Sequence, residues 1–133
     1  MTESRKTICV VAAVVERDGR YLITQQRPNA VLPNLWEFPN GRVKNGETDS
    51  EALCREVKER LVADVDVGQL ISFVSHPYEH YSVDLHLYEC KLKSEELQAK
   101  NVNAFRWVTS GEFDKFPFTP ADEASMTKLL GVT

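Results

Sequence analysis

Two glutamates and two arginines lie between positions 55 and 60, and side chains of these types bind cations and phosphates. Glu56 and Glu59 are three residues apart, so on a helix their carboxylates share one surface and repel each other. A divalent cation such as Mg²⁺ or Mn²⁺ would offset that repulsion. A basic side chain would also offset it, and Arg60 follows Glu56 at the ordinary spacing of an intrahelical salt bridge. The residues alone leave two interpretations open, a cation site and a charged solvent face.

A helix with a well-defined start is predicted to carry these residues. Thr48 and Glu51 have the spacing of a capping box, in which each side chain hydrogen-bonds the backbone amide of the other residue. Leu53, Val57 and Leu61 recur every four residues, which is typical of a helix face packed on a core. The charged residues lie off that apolar face and are free to meet a ligand or solvent.

The rest of the chain is predicted to be rich in strands. An apolar run, the turn Arg17-Asp18-Gly19 and a second run predict a β-hairpin near the N-terminus. The predicted strands are residues 7–15, 21–26, 36–38, 64–75, 82–93 and 105–108. A second helix is predicted to begin with Thr119 as N-cap and Pro120 at the first helical position. Its apolar residues are Ala121, Ala124, Leu129 and Leu130.

The composition is that of one ordinary folded domain over residues 1–133, with 42% hydrophobic and 27% charged residues. A net charge of −4 argues against a stable nucleic-acid complex, which normally needs a basic surface. It is compatible with a phosphorylated small molecule, because cations can bridge an acidic site to an anion. Three scattered cysteines, with neither a signal peptide nor a membrane-spanning apolar run, favour a cytoplasmic protein away from membranes. We expect a monomer or a homodimer.

A more specific signature surrounds the two glutamates. Glycines at positions 41 and 46 bracket a turn, and the pattern Gly-x5-Glu-x7-Arg-Glu-x2-Glu runs from Gly41 to Glu59. This pattern, with the apolar Val57, resembles the Nudix box of the MutT/Nudix hydrolases. The likeness covers nearly the whole chain, through the segments VVAAVVERDGRYLITQQRP, WEFPNG, FRWV and FPFTPADEASMTKLL. They resemble the MutT-like and CTP pyrophosphohydrolase-like branch. The likeness implies an α+β fold, the Nudix α/β/α sandwich, with a mixed β-sheet between helices.

The resemblance also implies a reaction and the residues that perform it. Proteins of this family hydrolyse a nucleoside diphosphate linked to another group, usually by attack of water on phosphorus. Mg²⁺ or Mn²⁺ neutralises phosphate charge and lowers the pKa of bound water. By this likeness Glu56 and Glu59 are the metal-binding and catalytic carboxylates, and Gly41 belongs to the same metal site. Arg55 would orient the neighbouring carboxylates, and Glu47 would buttress the loop.

Five further residues are expected to bind the substrate. Arg27 and Arg42 would meet phosphates. Phe38 and Tyr81 would stack on a base, although aromatic residues in strands commonly pack in a core. Asp122 stands where MutT-like proteins carry Asn or Asp facing the base, and an ionised Asp accepts from an exocyclic amino group, which favours cytosine over oxidised guanine. Asp122 is equally a suitable first-turn residue beside the positive end of a helix dipole.

Four positions depart from the family pattern. Arg60 stands where the box carries a metal-binding glutamate, and Val62 stands where it carries a glycine that lets the chain leave the helix. Asn40 replaces the first of two paired glycines, and Asn101 stands where related proteins often carry a glutamate. Two hypotheses therefore stand beside a metal-dependent pyrophosphohydrolase. They are a nucleotide-binding regulator with reduced catalysis and a DNA-lesion recognition module, which the acidic composition disfavours.

Overall fold

The computed structural model describes residues 6–122 and residue 124 of the chain. Within them lie seven strands, one long α-helix and a 3₁₀ helix, and a further helix begins at Pro120. In chain order the elements are β1 (Lys6–Arg17), β2 (Arg20–Gln25), β3 (Trp36–Glu37), β4 (Asn40–Arg42), α1 (Asp49–Leu61), β5 (Val65–Pro77), β6 (Tyr81–Leu92), β7 (Ala104–Val108) and the 3₁₀ helix (Ser110–Lys115). In this part of the chain no helix is long and apolar enough to cross a membrane.

Strand β1 is the centre of a mixed sheet. It runs parallel to β6 and antiparallel to β4. Its C-terminal end turns into β2, with Glu16 opposite Tyr21, so the predicted hairpin is confirmed. Strand β2 in turn pairs with β3 and β7, while β5 pairs antiparallel with β6. The resulting order of the main path is β3-β2-β1-β6-β5.

Alternate side chains of β1 enter two separate cores. Residues 11, 13 and 15 pack towards α1, where Leu53, Val57 and Leu61 are buried as predicted. Residues 12 and 14 pack on the other face with Phe113 of the 3₁₀ helix and Ala121 of the last helix. Both faces of the sheet are therefore covered by helical elements. This is the predicted α/β/α sandwich with a mixed sheet between helices.

Two elements were not predicted. Strand β4 follows Pro39 and contains a glycine, so it has no strand signature of its own. It forms because residues 10–12 of β1 offer it an antiparallel partner.

The 3₁₀ helix could have been predicted from its capping residues, because Thr109 and Glu112 have the spacing of a capping box. In the structure the Thr109 amide donates to Glu112 Oε1 at 2.9 Å. The start of the last helix at Pro120 is as predicted, whereas Leu129 and Leu130 lie outside the described residues.

The chain leaves α1 through Val62, which adopts the left-handed conformation with φ 55° and ψ 43°. Glycine is usual at such a position, because a Cβ costs about 1–2 kcal/mol there. The Val62 amide donates to the Lys58 carbonyl at 3.0 Å. Backbone amides of residues 98, 100 and 101 donate to the carbonyls of Arg60 and Leu61. These contacts hold the helix end in place although the glycine of the family pattern is missing.

We expect Val62→Gly to stabilise the protein by about 0.5–1 kcal/mol, because relief of the left-handed strain exceeds the entropy cost of a glycine. Val62 is 38% exposed, so the substitution also gives up part of its apolar burial, and the expected gain is what remains after that loss. Urea denaturation measures the change. Val31→Gly is the matched control, since Val31 is 83% exposed and has no positive φ, and it is expected to lower stability slightly. A Val62→Gly protein no more stable than wild type would contradict the strain argument.

Candidate active site

The loop between β4 and α1 is closed by Glu47. Its Oε1 accepts from the Lys44 amide at 2.8 Å, and Gly46 reverses the chain just before it with φ 86°. The capping box follows at once. Thr48 Oγ1 accepts from the Glu51 amide at 3.1 Å, and Glu51 Oε1 accepts from the Thr48 amide at 2.9 Å. The predicted cap is confirmed, and it fixes the start of α1 relative to the loop.

Arg55 ties this loop to the carboxylates of the helix. Its Nε and Nη2 donate to the two oxygens of Glu47 at 2.7 and 2.9 Å, a bidentate arrangement. Its Nη1 donates to Glu56 Oε1 at 2.7 Å and lies 3.6 Å from Glu59 Oε2. Its Nη2 also donates to the Arg42 carbonyl at 2.9 Å. One guanidinium therefore contacts three carboxylates and the backbone of β4.

The pair of Arg55 and Glu47 is held in its charged form. The hydrogen bond from Arg55, with the amide of Lys44 second, lowers the pKa of Glu47 to about 2. Hydrogen bonds to Glu47 and then to Glu56 raise the pKa of Arg55. Because the pKa of Glu47 is lowered, its contribution to stability is complete above its unfolded pKa near 4.5 and is lost as pH falls through about 2. The loop anchor therefore persists at neutral pH.

Gly41 of β4 lies directly against Glu56. A Cβ on Gly41 would lie 2.0 Å from Cγ and 2.1 Å from Cδ of Glu56. Gly41 cannot recede easily, because it is paired with Val11 of the central strand. The Glu56 side chain, 13% exposed, is thus confined between β4 and the arginines of its own helix. Glycine is required at position 41 for this close approach.

Arg60 holds the second oxygen of Glu56. Its Nε lies 2.8 Å from Glu56 Oε2, while Arg55 holds Oε1. The intrahelical salt bridge that the sequence left open is therefore formed. Asn101 donates from Nδ2 to the Glu59 carbonyl at 3.1 Å and so belongs to the contacts at the helix end.

Glu47, Glu56 and Glu59, held together by Arg55 and Arg60, form a carboxylate cluster. A cavity of about 740 Å³ opens beside this cluster. Gly41, Arg42 and Arg60 are part of its wall and contact Glu56 or Arg55 behind it. Glu47, Arg55, Glu56 and Glu59 do not line the cavity themselves. The wall continues over residues 26–32, the start of β6 and the start of the last helix. A volume of this order suits a small-molecule ligand.

The residues predicted to bind substrate separate into two groups. Four of them line the cavity, namely Arg27, Arg42, Tyr81 and Asp122. Phe38 does not, because its ring is fully buried and packs edge-on against Phe113 with centroids 6.2 Å apart. The prediction that Phe38 stacks on a base is therefore wrong, and the alternative of a core residue is correct.

Comparison with known proteins decides the family. The family model described as NUDIX domain matches residues 10–128. The chain belongs to the Nudix family. The CTP pyrophosphohydrolase of Escherichia coli K12 is 33% identical over 117 residues, which cover 88% of this chain and 87% of that protein. The putative 8-oxo-dGTP diphosphatase 2 of Mycobacterium tuberculosis H37Rv is 32% identical over 123 residues, 90% of this chain and 86% of that protein.

The fold of this Nudix protein also matches solved structures. The solution structure of the E. coli ORF135 protein aligns with a TM-score of 0.81 at 30% identity, over 96% of this chain and 91% of that chain. The predictions of a MutT-like family member and of a hydrolase are confirmed. The chain is a Nudix hydrolase.

Nudix hydrolases generally use divalent metal ions, and the oxygen donors of this chain fit such an ion. Each oxygen of Glu56 accepts one hydrogen bond and keeps a further lone pair. Glu59 is half exposed and touches Arg55 only at 3.6 Å. Within residues 6–122 and 124, no group of three or more His, Cys, Asp or Glu side chains forms a metal cluster. Two carboxylates are nevertheless what Mg²⁺ commonly takes from a protein when substrate phosphates supply other ligands.

Two carboxyl groups are buried together in the cavity wall of this Nudix hydrolase. Asp122 is 2% exposed and Glu37 is 5% exposed. Asp122 Oδ2 accepts from the Phe38 amide at 2.6 Å. Burial, and then the charge on Glu37, raises the pKa of Asp122 well above its ordinary value, and burial also raises that of Glu37. This shift favours the protonated form of Asp122, which can donate as well as accept, whereas the prediction from the sequence considered only the ionised form.

This shift predicts a pH-dependent stability. The folded state keeps the Asp122 proton above the ordinary pKa of 3.8, whereas the unfolded chain has lost it. Stability therefore falls as pH rises from about 4 towards the folded pKa, by about 1.4 kcal/mol per pH unit for one such group. We expect Asp122→Asn to flatten this decline, measured by urea denaturation at pH 5 and pH 8. Asp66→Asn, at an exposed carboxylate paired with Lys93, should leave the wild-type slope, and an unchanged slope in Asp122→Asn would refute the assignment.

Two residues of the cavity wall, Tyr78 and Glu37, were not predicted from the sequence. Tyr78 stacks on Tyr81 with centroids 5.1 Å apart and rings inclined by 21°, and its hydroxyl accepts from the Ala121 amide. The signal was the short Tyr-Glu-His-Tyr connection between two strands. Glu37 was the second, and its signal was a carboxylate inside an apolar run, which is costly unless the group has a partner or a role.

Proposed function

We propose that this Nudix hydrolase cleaves a nucleoside triphosphate, or a related nucleoside diphosphate derivative, to the monophosphate and pyrophosphate with Mg²⁺ or Mn²⁺. One observation carries the proposal. The cavity shares Gly41, Arg42 and Arg60 with the contacts of the α1 carboxylates, so a ligand bound in it meets basic side chains directly and lies beside Glu56, which is outside the wall. This is the arrangement that a charged phosphate chain attached to a flat base requires.

The cavity supplies two kinds of contact for such a ligand. Arg27 and Arg42 are exposed and line the wall, so they are available to bind phosphate oxygens. Tyr81, backed by the stacked Tyr78, offers an aromatic face for the base. Asp122 lies in the same wall and is available for the hydrogen-bonding edge of the base.

Glu56 and Glu59, with Gly41 beside them, would hold the divalent cation. When bound, it supplies charge neutralisation at phosphate and a water of lowered pKa. Arg55 keeps Glu56 in one orientation through its 2.7 Å hydrogen bond and restrains Glu59 from 3.6 Å. Glu47 in turn holds Arg55 with two hydrogen bonds. In this proposal all four residues serve catalysis, two directly and two by positioning.

Cytosine is the first candidate for the base. The relative at 33% identity is named for CTP, and the one at 32% is named for 8-oxo-dGTP. Cytosine presents an amino donor beside a ring-nitrogen acceptor, and the protonated form of a carboxyl, which burial favours at Asp122, complements both. The raised pKa of Asp122 therefore supports the same base that the sequence favoured, for a different chemical reason.

A second candidate function is nucleotide binding with little hydrolysis. It is favoured by Arg60, which holds Glu56 Oε2 at 2.8 Å in place of the acidic residue that the family pattern expects. Asn101 adds to it, because its amide group is engaged with the Glu59 carbonyl. A chain of this kind would bind the ligand and release it unchanged.

A panel of nucleotides distinguishes the two candidates. Purified protein is incubated with CTP, dCTP, 8-oxo-dGTP and the other common triphosphates in Mg²⁺ and in Mn²⁺, and released pyrophosphate is measured. We expect release with a metal and none in EDTA. Binding by calorimetry without release would favour the second candidate. Release of orthophosphate instead of pyrophosphate would overturn the proposed cleavage.

The proposed setting follows the sequence. We place the protein in the cytoplasm as one domain over residues 1–133, a monomer or a homodimer, acting on free nucleotides rather than on nucleic acid or at a membrane. The net charge of −4 supports the choice of a small-molecule partner.

A further inference from the structure

Arg60 lies between the carboxylates of α1 and the cavity. Its Nε contacts Glu56 at 2.8 Å, and its side chain is 28% exposed and forms part of the cavity wall. Burial raises the pKa of Glu37, and the positive charge of Arg60 offsets a small part of that rise. Arg60 thus faces both the Glu56 carboxylate and the cavity.

The two arginines of the cluster differ in how many hydrogen bonds they already make. Arg55 uses Nε, Nη1 and Nη2 on carboxylates and on a backbone carbonyl. Arg60 uses Nε alone, and neither of its Nη groups has a hydrogen-bond partner among residues 6–122 and 124. A guanidinium carries five N–H donors in a planar fork that matches two phosphate oxygens. Arg55 is therefore committed to structure, whereas Arg60 retains the donors that bind an anion.

The cavity wall is basic in an otherwise acidic protein. Lysine and arginine side chains outnumber carboxyl groups in it by four to two, with Lys6, Arg27, Arg42 and Arg60 against Glu37 and Asp122. Burial raises the pKa of both carboxyls and so disfavours their negative charge. The whole chain carries a net charge of −4, so this local excess of positive charge marks a site for an anion.

We infer that Arg60 binds the phosphate chain of the nucleotide directly, in place of a divalent cation, so that this protein binds its ligand without metal. The inference rests on the proposed nucleotide site and specifies the form of the ligand that it accepts. The fixed charge of Arg60 serves binding, whereas cleavage still needs the cation at Glu56 and Glu59. Binding and hydrolysis should therefore differ in their requirement for metal.

Inorganic tripolyphosphate and CTP, titrated calorimetrically in EDTA, test the inference without hydrolysis. We expect wild-type protein to bind both, and Arg60→Gln to bind both at least about tenfold more weakly. Arg60→Lys keeps the charge but not the fork, so its affinity should lie between them. Lys58→Gln is the matched control, because it removes one positive charge from the same helix at an exposed residue outside the cavity wall. It should bind like wild type, and thermal melting checks that every variant is folded.

Two results would overturn the inference. One is wild-type binding of tripolyphosphate only when metal is present, and the other is equal metal-free affinity in wild type and Arg60→Gln. Failure of the proposed function gives a different result, namely no pyrophosphate from any nucleotide in the presence of metal. Tripolyphosphate has no base, so a wrong choice of nucleoside does not affect the test of Arg60.

The same variants give a second readout with metal alone. Arg60→Glu restores the acidic residue of the family pattern, and we expect it to bind Mn²⁺ at least about fivefold more tightly than wild type, because a repelling cation becomes a ligand. Lys58→Glu makes the same change of two charge units on the same helix and should alter Mn²⁺ affinity by less than about twofold. Equal or tighter Mn²⁺ binding by wild type than by Arg60→Glu would contradict the competition between Arg60 and the metal.

Discussion

Glu59→Gln is expected to abolish pyrophosphate release, with a loss of at least about 100-fold, because it removes one of the two carboxylates available to a cation. Glu59 suits this test because it carries little of the structure. Its side chain is 51% exposed, and among residues 6–122 and 124 it forms one ion pair, the 3.6 Å contact with Arg55. The stronger contacts of Arg55 with Glu47 and Glu56 remain. The variant should therefore fold like wild type and fail in the reaction.

Asp64→Asn is the control for this variant. Asp64 is exposed, lies just after α1 and pairs with Lys58 at 3.3 Å, so its neutralisation makes the same charge change near the site without touching it. We expect its pyrophosphate release to stay within about twofold of wild type. Thermal melting of both variants shows whether folding is intact. Release by a folded Glu59→Gln protein at the wild-type rate would remove the proposed mechanism.

The parts of the site that the sequence predicted are those built by local contacts. The capping box of Thr48 and Glu51, which the sequence predicted, and the pairing of Glu56 with Arg60, which it left open beside a cation site, both depend on helix geometry alone. Helix geometry fixes neighbours three and four residues apart. The apolar repeat of α1 predicted its buried face for the same reason. These contacts need no knowledge of the rest of the fold.

The parts that the sequence did not predict depend on distant segments. Asp122 accepts from the amide of Phe38, 84 residues away, and only the folded chain brings Asp122 next to Phe38 and its neighbour Glu37. The burial of both carboxyls, and hence the raised pKa of each, follows from this packing. Phe38 was misassigned for a related reason, because an aromatic residue beside a site has the same sequence pattern whether its ring faces the ligand or the core.

The departures from the family pattern also have a structural meaning that the sequence did not provide. Without a glycine at position 62, the helix end is held by amides of residues 98–101, and Val62 takes the left-handed conformation. With Arg60 in place of a glutamate, each oxygen of the Glu56 carboxylate accepts one hydrogen bond from an arginine. Each change is accommodated by new contacts, so the fold of the box is kept while its charge is altered.

Gly41→Ala is expected to cause the largest change from a single methyl group. The added Cβ would lie 2.0 Å from Glu56 Cγ, so the side chain of Glu56 must leave its place. Both of its oxygens are bound by Arg55 and Arg60, and a shift breaks these contacts together. We expect a loss of about 1–3 kcal/mol in stability from overpacking. Pyrophosphate release should fall at least about 100-fold, since a displacement of about 1 Å in a catalytic group has that effect.

Gly111→Ala is the matched control, because it adds the same methyl group where no atom lies within 4 Å and where φ is not positive. Its stability should stay within about 1 kcal/mol of wild type, and its activity should not change. Urea denaturation and pyrophosphate release are measured on both variants under the same conditions. If Gly41→Ala behaved like Gly111→Ala in both assays, the position of Glu56 would not depend on the close approach of β4. The difference between two identical chemical changes therefore isolates the contact between Gly41 and Glu56 as the feature that positions the Glu56 carboxylate.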